Sequence, residues 1–406
     1  MADNNENKVL NVPHLRFPEF SGEWKKHSLG EIGETIIGLT YKPSDVVDNN
    51  GIIVFRSSNI KNGMIDYSDL VRVNKHIKDK IITKENDILV CARNGSQRLI
   101  GKNAIIKQED ANNTFGAFMM VYRANDNPFI LPLLSTKKYF SQVGENLGAR
   151  INQITTSDFN GFEFYFPENH AERTKIAELF RLLDERIATQ NKIIDKLQSL
   201  INGLNDSLYQ QCGNGIMTSF SKLGQSYSGL SGKSADDFGT GKPYITYLNV
   251  YSNNVVNEND YQYVRISDGE KQNIVKYGDV LFTLSSETPE EVGIGSVYLG
   301  KSDVYLNSFC FGIHITDTKV VFPPYLSYYV SSTPFRKFIY PYAQGSTRFN
   351  LCKADFEKAR IKMPSLENQK RIYFILSHIA SKVETETKLW DLFKFQKQYL
   401  LRQMFI

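Results

Sequence analysis

The sequence has few cysteines and histidines, and none of them are spaced to bind a metal. The four cysteines, Cys91, Cys212, Cys310 and Cys352, form no Cys-x-x-Cys pair, and no two of the six histidines have the spacing of metal ligands. No run approaches the ~18 apolar residues of a membrane-spanning helix. The polar start, Met1 to Lys8, has no apolar signal segment. We therefore expect reduced thiols, no bound metal, no membrane and a cytoplasmic location.

Motifs for catalysis are also missing. There is no glycine-rich cofactor loop after a predicted strand, no Asn/Asp-Pro-Pro-Tyr/Phe motif and no nucleophile elbow. One segment, Gly295–Ser302, matches the phosphate-binding pattern GxxxxGK[ST], but that mechanism needs a strand before the loop and a helix after it. Here Val297–Leu299 itself is predicted to be a strand. We expect no catalytic residue and no cofactor in this chain, with an ATP-dependent enzyme using Gly295–Ser302 as one alternative.

The charge balance does not identify a partner. The chain has 406 residues and a net charge of +4, and 41% of its residues are hydrophobic. This composition is that of a globular protein with two or three domains. So small an excess of positive charge is only a weak indication of a polyanionic ligand.

What the sequence does contain is a long internal repeat. Residues 24–209 and 220–405 pass through the same landmarks in the same order, at an offset of roughly 190 to 198 residues. The pairs are Leu29-Gly30 with Leu223-Gly224, Gly38 with Gly229, Asn59 with Asn249, Asp87 with Asp279, Ile100-Gly101 with Ile294-Gly295, Phe115 with Phe309, Asp158-Phe159 with Asp355-Phe356, and Pro167 with Pro364. The repeat is too long for a solenoid unit. It indicates a duplicated domain that would suit a ligand with two similar, separated sites.

Each half begins with a predicted α+β globule, in which short β-rich runs alternate with turn residues. The strands predicted in the first half are Ile52–Phe55, Ile81–Thr83, Ile88–Cys91, Ala104–Ile106 and Ala117–Tyr122. Those predicted in the second half are Tyr244–Leu248, Val280–Leu284, Val297–Leu299 and Phe309–Ile315. We also expect a helix after Pro128 through about Phe140, and another after Pro324.

Each globule is followed by a long helix with the 4,3 apolar spacing of a coiled-coil seam. The first seam is Ile176, Phe180, Leu183, Ile187, Gln190, Ile194, Leu197, Ile201, Leu204 and Leu208, and the second is Ile372, Leu376, Ile379, Val383, Glu386, Trp390, Phe393, Lys397, Leu400 and Met404. We expect the two helices to pack as an antiparallel coiled coil. The polar Gln190 and Glu386 would either share a central layer or face solvent.

The sequence resembles the specificity subunits of type I restriction–modification systems. The similarity lies in the entry segment from Val12 to Trp24, the Gly-Leu-Thr-Tyr-Lys-Pro run from Gly38, and Glu172–Ala177 and Glu367–Ile372 at the start of the helices. It extends over nearly the whole chain, and the order of these motifs, twice over, is more specific than any one of them. The second copy departs from the pattern at Ser231–Ser234, which lacks the usual proline.

The resemblance implies a non-catalytic DNA-reading subunit. In that family each globule reads one half of a bipartite, interrupted DNA target, and the helix pair sets the gap and docks methyltransferase subunits. The expected partners are double-stranded DNA, two methyltransferase (M) subunits and restriction/translocase (R) subunits. S-adenosylmethionine, ATP and Mg would then belong to the partner chains. A free-standing DNA-binding regulator with the same duplication is the other alternative.

The repeat and the resemblance together predict five segments. These are an N-terminal tail and lead-in at 1–23, a first target-recognition globule at 24–167, a first helix at 168–212, a second globule at 213–365 and a second helix at 366–406.

Polar loops beside predicted strands are the candidate DNA-binding residues, because Arg can pair with guanine, Asn or Gln with adenine, and Glu with cytosine. In the first globule these are Lys42, Ser44, Arg56, Ser57, Ser58, Asn59, Arg93, Asn94, Ser96, Gln97, Arg98 and Arg150. In the second they are Lys233, Ser234, Asp237, Thr246, Tyr247, Asn249, Thr283, Ser285, Ser286, Glu287 and Arg348. Any of them could instead form a solvated turn or contact phosphate. Arg150 and Arg348, each after a glycine-opened turn, would either clamp phosphate or brace the globule.

Overall fold

The computed structural model describes residues 10–147, 152–211 and 215–406. The chain divides into two compact units. Unit 1 comprises Met1–Asn191 and Lys388–Ile406, and unit 2 comprises Lys192–Thr387. Unit 1 is therefore discontinuous in sequence, whereas unit 2 is one continuous stretch.

Unit 1 contains the first globule, which is built on two four-stranded sheets, β2-β11-β8-β9 and β10-β4-β7-β3. Its strands are β1 (Lys25–Ser28), β2 (Glu34–Ile37), β3 (Val46–Val47), β4 (Ile52–Phe55), β5 (Ile60–Lys61), β6 (Met64–Ile65), β7 (Arg72–Val73), β8 (Ile88–Cys91), β9 (Asn103–Ile105), β10 (Thr114–Phe115), β11 (Met119–Arg123) and β12 (Glu163–Phe166). Its helices are α1 (Leu29–Ile32), α2 (Asn127–Leu133), α3 (Lys137–Glu145) and α4 (Thr156–Asn160), and the long helix α5 (His170–Gln211) follows.

Unit 2 contains the second globule, with sheets β14-β21-β17-β19, β16-β15-β20 and β18-β23-β22. Its strands are β13 (Ile216–Thr218), β14 (Gly224–Ser228), β15 (Phe238–Ile245), β16 (Tyr261–Val264), β17 (Val280–Thr283), β18 (Ser285–Ser286), β19 (Gly295–Val297), β20 (Tyr305–Leu306), β21 (Cys310–Ile315), β22 (Ala343–Gln344), β23 (Phe349–Leu351) and β24 (Ile361–Met363). Its helices are α6 (Phe220–Leu223), α7 (Tyr247–Ser252), α8 (Pro323–Tyr329), α9 (Thr333–Ile339) and α10 (Lys353–Lys358), and the long helix α11 (Leu366–Gln403) follows.

The two globules share one central antiparallel sheet. In the first, β11 lies between β2 and β8, with Val121 opposite both Ile36 and Leu89. In the second, β21 lies between β14 and β17 in the same way, with Gly312 opposite Tyr227 and Leu281. The predicted α+β duplication is confirmed by this common strand order.

Most predicted strands lie within one or two residues of their observed positions, and Ile52–Phe55 and Ile88–Cys91 agree at both ends. Two predictions were wrong. Ile81–Thr83 is not a strand, because a 3-10 turn begins at Asp79. Tyr244–Leu248 is a strand only as far as Ile245, because Thr246 then caps helix α7.

The helix predicted from Pro128 to Phe140 is in fact two helices. The side chain of Thr136 accepts the N–H of Tyr139 and so starts α3 after the end of α2. Ser332 does the same for Phe335 between α8 and α9. The break is thus repeated in both globules.

The hydrogen bonds of the central sheet correct two of the landmark pairs. Cys91 N–H donates to the Lys102 carbonyl, and Thr283 N–H donates to that of Ile294, so the positive-φ Gly101 corresponds to Gly293 rather than Gly295. Likewise, Leu39 N–H donates to Phe115 and Leu230 N–H to Leu306. Phe115 therefore corresponds to Leu306, and the counterpart of Phe309 is Phe118. Loops of unequal length shift the offset between the copies.

The two long helices pair in antiparallel fashion, as seen inside unit 1. The rings of Phe180 and Phe405 lie 5.6 Å apart, and Lys397 Nζ lies 2.5 Å from Asp184 Oδ1. As the residue number rises along α5, it falls along α11, which defines the antiparallel direction. In unit 2, Leu204 of α5 packs against the same core that buries Leu376 of α11.

The predicted seam is confirmed, because its members in both helices are buried or half-buried. Gln190 is 6% exposed and Glu386 is 9% exposed, so the alternative that they face solvent is wrong. A buried polar residue in a coiled-coil seam costs stability and favours one register.

A buried aspartate at the start of the central strand has different partners in the two globules. Asp87 accepts two hydrogen bonds from Arg123, at 2.8 and 2.7 Å. Its counterpart Asp279 lies 2.9 Å from His314 Nδ1 and accepts the Tyr227 hydroxyl at 2.7 Å. Burial raises the pKa of Asp279 above the usual value. The charge partner is therefore permanent in the first globule and depends on protonation in the second.

Within the part of the chain that the structure describes, no helix combines the length and apolar content needed to cross a membrane.

Replacing Arg123 by Leu should strongly destabilise unit 1. The change leaves the Asp87 carboxylate buried without its charge partner, which costs about 3–5 kcal/mol of unfolding free energy. Denaturant unfolding followed by tryptophan fluorescence measures this, because Trp24 and Trp390 both belong to unit 1. Arg181→Leu is the control, since Arg181 is exposed and should contribute far less. Equal losses for the two variants would contradict the buried-pair account.

Candidate nucleic-acid interface

Three loops of the first globule meet beside the end of β8. Asn94 Nδ2 donates to Ser57 Oγ at 3.0 Å, which joins the loop after β8 to the loop after β4. Asn94 N–H donates to the Asn152 carbonyl at 3.2 Å, and Asn152 Nδ2 donates to the Gly95 carbonyl at 2.9 Å. Predicted residues that are far apart in sequence are therefore brought together here.

The exposed members of this loop cluster are cationic or polar. Arg93, Ser96, Gln97 and Arg98 are exposed, as is Ser58. The arginines present N–H donors, and the Gln97 amide can pair with a base edge. This is the surface of the first globule with the chemistry needed to contact DNA.

The Arg93 guanidinium stacks on an aromatic ring that the sequence analysis did not select. Its Cζ lies 5.0 Å from the centroid of Phe118, which is 58% exposed. A phenylalanine in a predicted strand is usually a core residue, so its type and spacing give no signal of exposure. Only the turn before β11 places this ring at the surface.

Asn59 was wrongly chosen as a reading residue. It is fully buried, and its Nδ2 donates to the carbonyls of Asp66 and Asp69 at 3.0 and 2.8 Å. Its Oδ1 accepts the N–H of Arg56 at 2.8 Å. All of its groups are used inside the loop. Arg56 is half-buried and pairs with the Asp69 carboxylate at 2.8 Å, so it is also mainly a bracing residue.

Lys42 and Ser44 lie on a separate turn. Both are exposed, and the N–H of Lys42 donates to the Asp45 carboxylate at 2.9 Å. That hydrogen bond is the main cause that lowers the pKa of Asp45. Among the described residues, no hydrogen bond joins this turn to the loop cluster around Asn94. Arg150 lies outside the described residues.

The second globule repeats the meeting of two loops with different side chains. The Tyr247 hydroxyl donates to the Ser285 carbonyl at 2.8 Å. Thr246 caps α7 by accepting the N–H of Asn249 at 3.1 Å. Tyr247 is the positional counterpart of Ser57 in the first globule. The loop after β15 is thus held against the loop after β17, as in the first globule.

Asn249 was also wrongly chosen, because it is the buried counterpart of Asn59. Its Nδ2 donates to the carbonyls of Asn257 and Asp260 at 2.9 and 3.1 Å. Its Oδ1 accepts the N–H of Asn257 at 2.9 Å. The repeated landmark Asn therefore holds a loop closed in both globules and cannot reach a base.

Three hydroxyl residues after β17 are buried as well. Thr283 is fully buried and accepts the N–H of Ile294 at 3.0 Å. Ser285 is 5% exposed, and the hydroxyl of Ser286, 7% exposed, donates to Glu291 at 3.1 Å. These three predictions were wrong, because strand pairing turns the side chains inward. Of this segment, Glu287 is exposed and remains a candidate.

Lys233 forms a structural ion pair. Its Nζ donates to Glu270 Oε2 and to the Arg265 carbonyl, both at 2.6 Å, and its side chain is only 8% exposed. The pair is the main cause that lowers the pKa of Glu270 to about 2. Asp237 accepts the N–H and hydroxyl of Ser234 at 2.9 and 3.0 Å, closing a turn. Lys233 and Asp237 are therefore bracing residues, and Ser234 is exposed but engaged.

Arg348 is exposed and repeats the aromatic stacking seen at Arg93. Its Cζ lies 6.0 Å from the ring centroid of Phe309, which is 57% exposed. Arg348 comes from the turn between β22 and β23, whereas Arg93 follows β8. Different segments thus supply the cation to corresponding rings.

The phosphate-loop pattern at Gly295–Ser302 has the wrong structure for that role. Gly295–Val297 is strand β19, and the Tyr298 hydroxyl donates to the Ser302 carbonyl at 2.6 Å. The next element is strand β20, so no helix N-terminus faces this segment. The segment cannot act as a phosphate-binding loop.

The long helix α11 carries a stripe of exposed apolar residues within unit 1. Leu392 is 63% exposed, Phe395 is 68% exposed and Tyr399 is 52% exposed. Their spacing places them along one side of the helix. By contrast, Trp390 and Phe393 are half-buried. We call Leu392, Phe395 and Tyr399 the α11 stripe.

The chain belongs to the family defined by the type I restriction modification DNA specificity domain. The family profile matches residues 21–199 and 230–391, which is more than half of the chain. The two matched stretches correspond to the two copies of the repeat.

Two relatives within this family are specificity subunits. The sequence is 25% identical over 297 residues to the EcoKI type I restriction enzyme specificity subunit of Escherichia coli (strain K12), covering 67% of this chain and 63% of that protein. It is 24% identical over 203 residues to the StySPI specificity subunit of Salmonella potsdam, covering 48% and 43%. The chain thus spans less than two thirds of the length of each.

Solved structures show the same fold. The type I restriction–modification S subunit from M. genitalium is similar with a TM-score of 0.57 at 15% identity, over 97% of this chain and 99% of that one. A chain from a study of complex assembly and conformational transition of the type I system is similar with a TM-score of 0.56 at 16% identity, over 96% and 98%.

Replacing Asn59 or Asn249 by Ala should lower stability without changing any DNA preference. Each change leaves several buried backbone groups unpaired, which costs about 2–4 kcal/mol. Thermal unfolding measures the loss, and Ser58→Ala, at an exposed neighbour, is the control. A wild-type melting curve with an altered DNA preference would return these asparagines to the reading surface.

Proposed function

We propose that the chain is the DNA sequence-specificity subunit of a type I restriction–modification complex. Each globule reads one half of a bipartite, interrupted target in double-stranded DNA. The observation that carries this proposal is the repeated pairing of two loops beside the central strand, with exposed Arg93 and Arg98 in one copy and Arg348 in the other. The side chains of the two loop clusters differ, so the two half-sites differ.

The subunit is proposed to be non-catalytic. The chemistry would be supplied by two methyltransferase subunits and by restriction/translocase subunits, which would bind S-adenosylmethionine, ATP and Mg. This chain would hold the DNA in register for them. Its own contribution is therefore base contact, phosphate contact and spacing.

Selection of DNA from a random duplex pool tests this function. The chain is produced together with the methyltransferase subunits of its own operon or host, and bound duplexes are sequenced. The expected result is an asymmetric consensus of two short blocks separated by a gap of fixed length. A single continuous block, or no sequence preference at all, would reject the proposal. Failure of any methyltransferase subunit to co-purify would favour a free-standing regulator.

The helix pair is proposed to set the length of the gap. Both α5 and α11 contribute residues to both units. A seam shared by two long helices resists changes of length, since every layer of one packs on a layer of the other. The spacing of the half-sites would then follow from the number of helical residues.

Inserting four residues after Gln190 should lengthen the preferred gap. The insertion adds about one helical turn, roughly 6 Å, and keeps the seam nearly in phase. At about 3.4 Å per base pair, the gap should grow by about one or two base pairs, while the half-site bases stay the same. The control is the same insertion after Gly63, in an exposed turn. Changed half-sites with an unchanged gap would contradict the ruler.

The α11 stripe is proposed to dock a methyltransferase subunit. Exposed apolar side chains in a row are costly in water and are covered when a partner binds. Leu392→Ser and Phe395→Ser should therefore leave folding unchanged but reduce co-purification of methyltransferase subunits by about tenfold or more. Val46→Ser, at an apolar residue of similar size that is 41% exposed on β3, is the control. Undiminished co-purification would place the docking surface elsewhere.

A further inference from the structure

Both globules carry an exposed phenylalanine at the same place in the fold. Phe118 directly precedes β11, and its carbonyl accepts the N–H of Ala92 and Arg93, both at 3.0 Å. Phe309 directly precedes β21, and its carbonyl accepts the N–H of Leu284 at 2.9 Å. The same tight turn lies before each, since Met119 N–H donates to Gly116 and Cys310 N–H donates to Asn307. The two rings are therefore structural counterparts.

The turn has diverged around these rings, but the rings are the same. The first copy reads Phe115-Gly-Ala-Phe118 and the second reads Leu306-Asn-Ser-Phe309. Only the last residue is identical. Neither ring fills a core, because they are 58% and 57% exposed. One exposed phenylalanine needs no explanation, but the same one in two diverged copies calls for a shared role at the surface.

Each ring holds an arginine, and the arginine comes from a different segment in each copy. Arg93 Cζ lies 5.0 Å from the ring centroid of Phe118, and Arg348 Cζ lies 6.0 Å from that of Phe309. Among residues 10–147, 152–211 and 215–406, neither guanidinium donates a hydrogen bond or lies within 4 Å of a carboxylate. A guanidinium stacked on a ring keeps its N–H donors directed outward in its plane.

We propose that Phe118 and Phe309 are matched specificity-determining residues, and that each contacts the methyl group of a thymine while its arginine donates to a neighbouring guanine. The proposal rests on the proposed function. The guanidinium covers one face of the ring, so the ring cannot insert between two base pairs with both faces in contact. Its free edge is left for apolar contact, and the thymine methyl is the apolar group that the major groove presents. The same groove presents guanine N7 and O6 to arginine.

Replacing thymine by uracil tests the apolar contact directly, because it removes only the methyl group. The probes are the duplex selected by the wild-type complex and versions with one thymine of a half-site changed to uracil. One such change in the first half-site should weaken wild-type binding several-fold, and Phe118→Ala should be insensitive to that change. Phe309→Ala should show the same insensitivity in the second half-site only. Each variant is thus the control for the other.

A double-substitution cycle tests the pairing of ring and arginine. Phe118→Ala and Arg93→Ala should each weaken binding about tenfold on the selected duplex, with no further loss once the first half-site is scrambled. The double variant should bind no worse than the weaker single variant, since the two residues act as one unit. Thermal unfolding should be unchanged, because both side chains are exposed.

Three outcomes would overturn the inference. They are wild-type binding by both phenylalanine variants, equal loss on selected and scrambled duplexes, and no thymine whose change to uracil distinguishes wild type from variant. A wild-type complex without any sequence preference would instead reject the proposed function itself, so the two failures are distinguishable.

Discussion

Burial of the two helical seams is the constraint on which the rest of the structure depends. Neither α5 nor α11 can cover its own apolar face, so each must lie along the other. In unit 1 the beginning of α5 meets the end of α11, where Phe180 packs against Phe405. In unit 2 the end of α5 shares a core with the beginning of α11. Both globules are therefore attached to a two-helix support rather than to a single strand of linker.

The globules use one backbone plan for two surfaces. The central sheet, the broken helix pair and the buried asparagine of the loop are common to both. What differs is the set of side chains that reach the surface beside the central strand, and even the segment that provides the arginine. Separating support from surface in this way lets the loops change without disturbing the core, as seen where Arg123 in one copy is His314 in the other.

The helices and the central strands could be predicted from the sequence because their signals are periodic and local. The seam from Ile176 to Leu208 repeats too regularly to be anything else. The site was less predictable because one side-chain type serves two purposes. Asn59 and Lys233 have the chemistry of readers, yet buried carbonyls and a carboxylate use them fully. Phe118 failed in the opposite sense, since nothing in an apolar letter reveals that a turn has placed it outside.

The discontinuity of unit 1 has a consequence for synthesis. Its core includes Leu401, Met404 and Phe405, and the ring of Phe405 lies 6.3 Å from that of Trp24 and 5.8 Å from that of Phe129. A ribosome making roughly 5–20 residues per second needs roughly 10–40 s to go from the middle of α5 to these residues. During that time the first globule lacks part of its apolar cover, whereas unit 2 is already whole. The half of the protein that is made first is thus the half that is completed last.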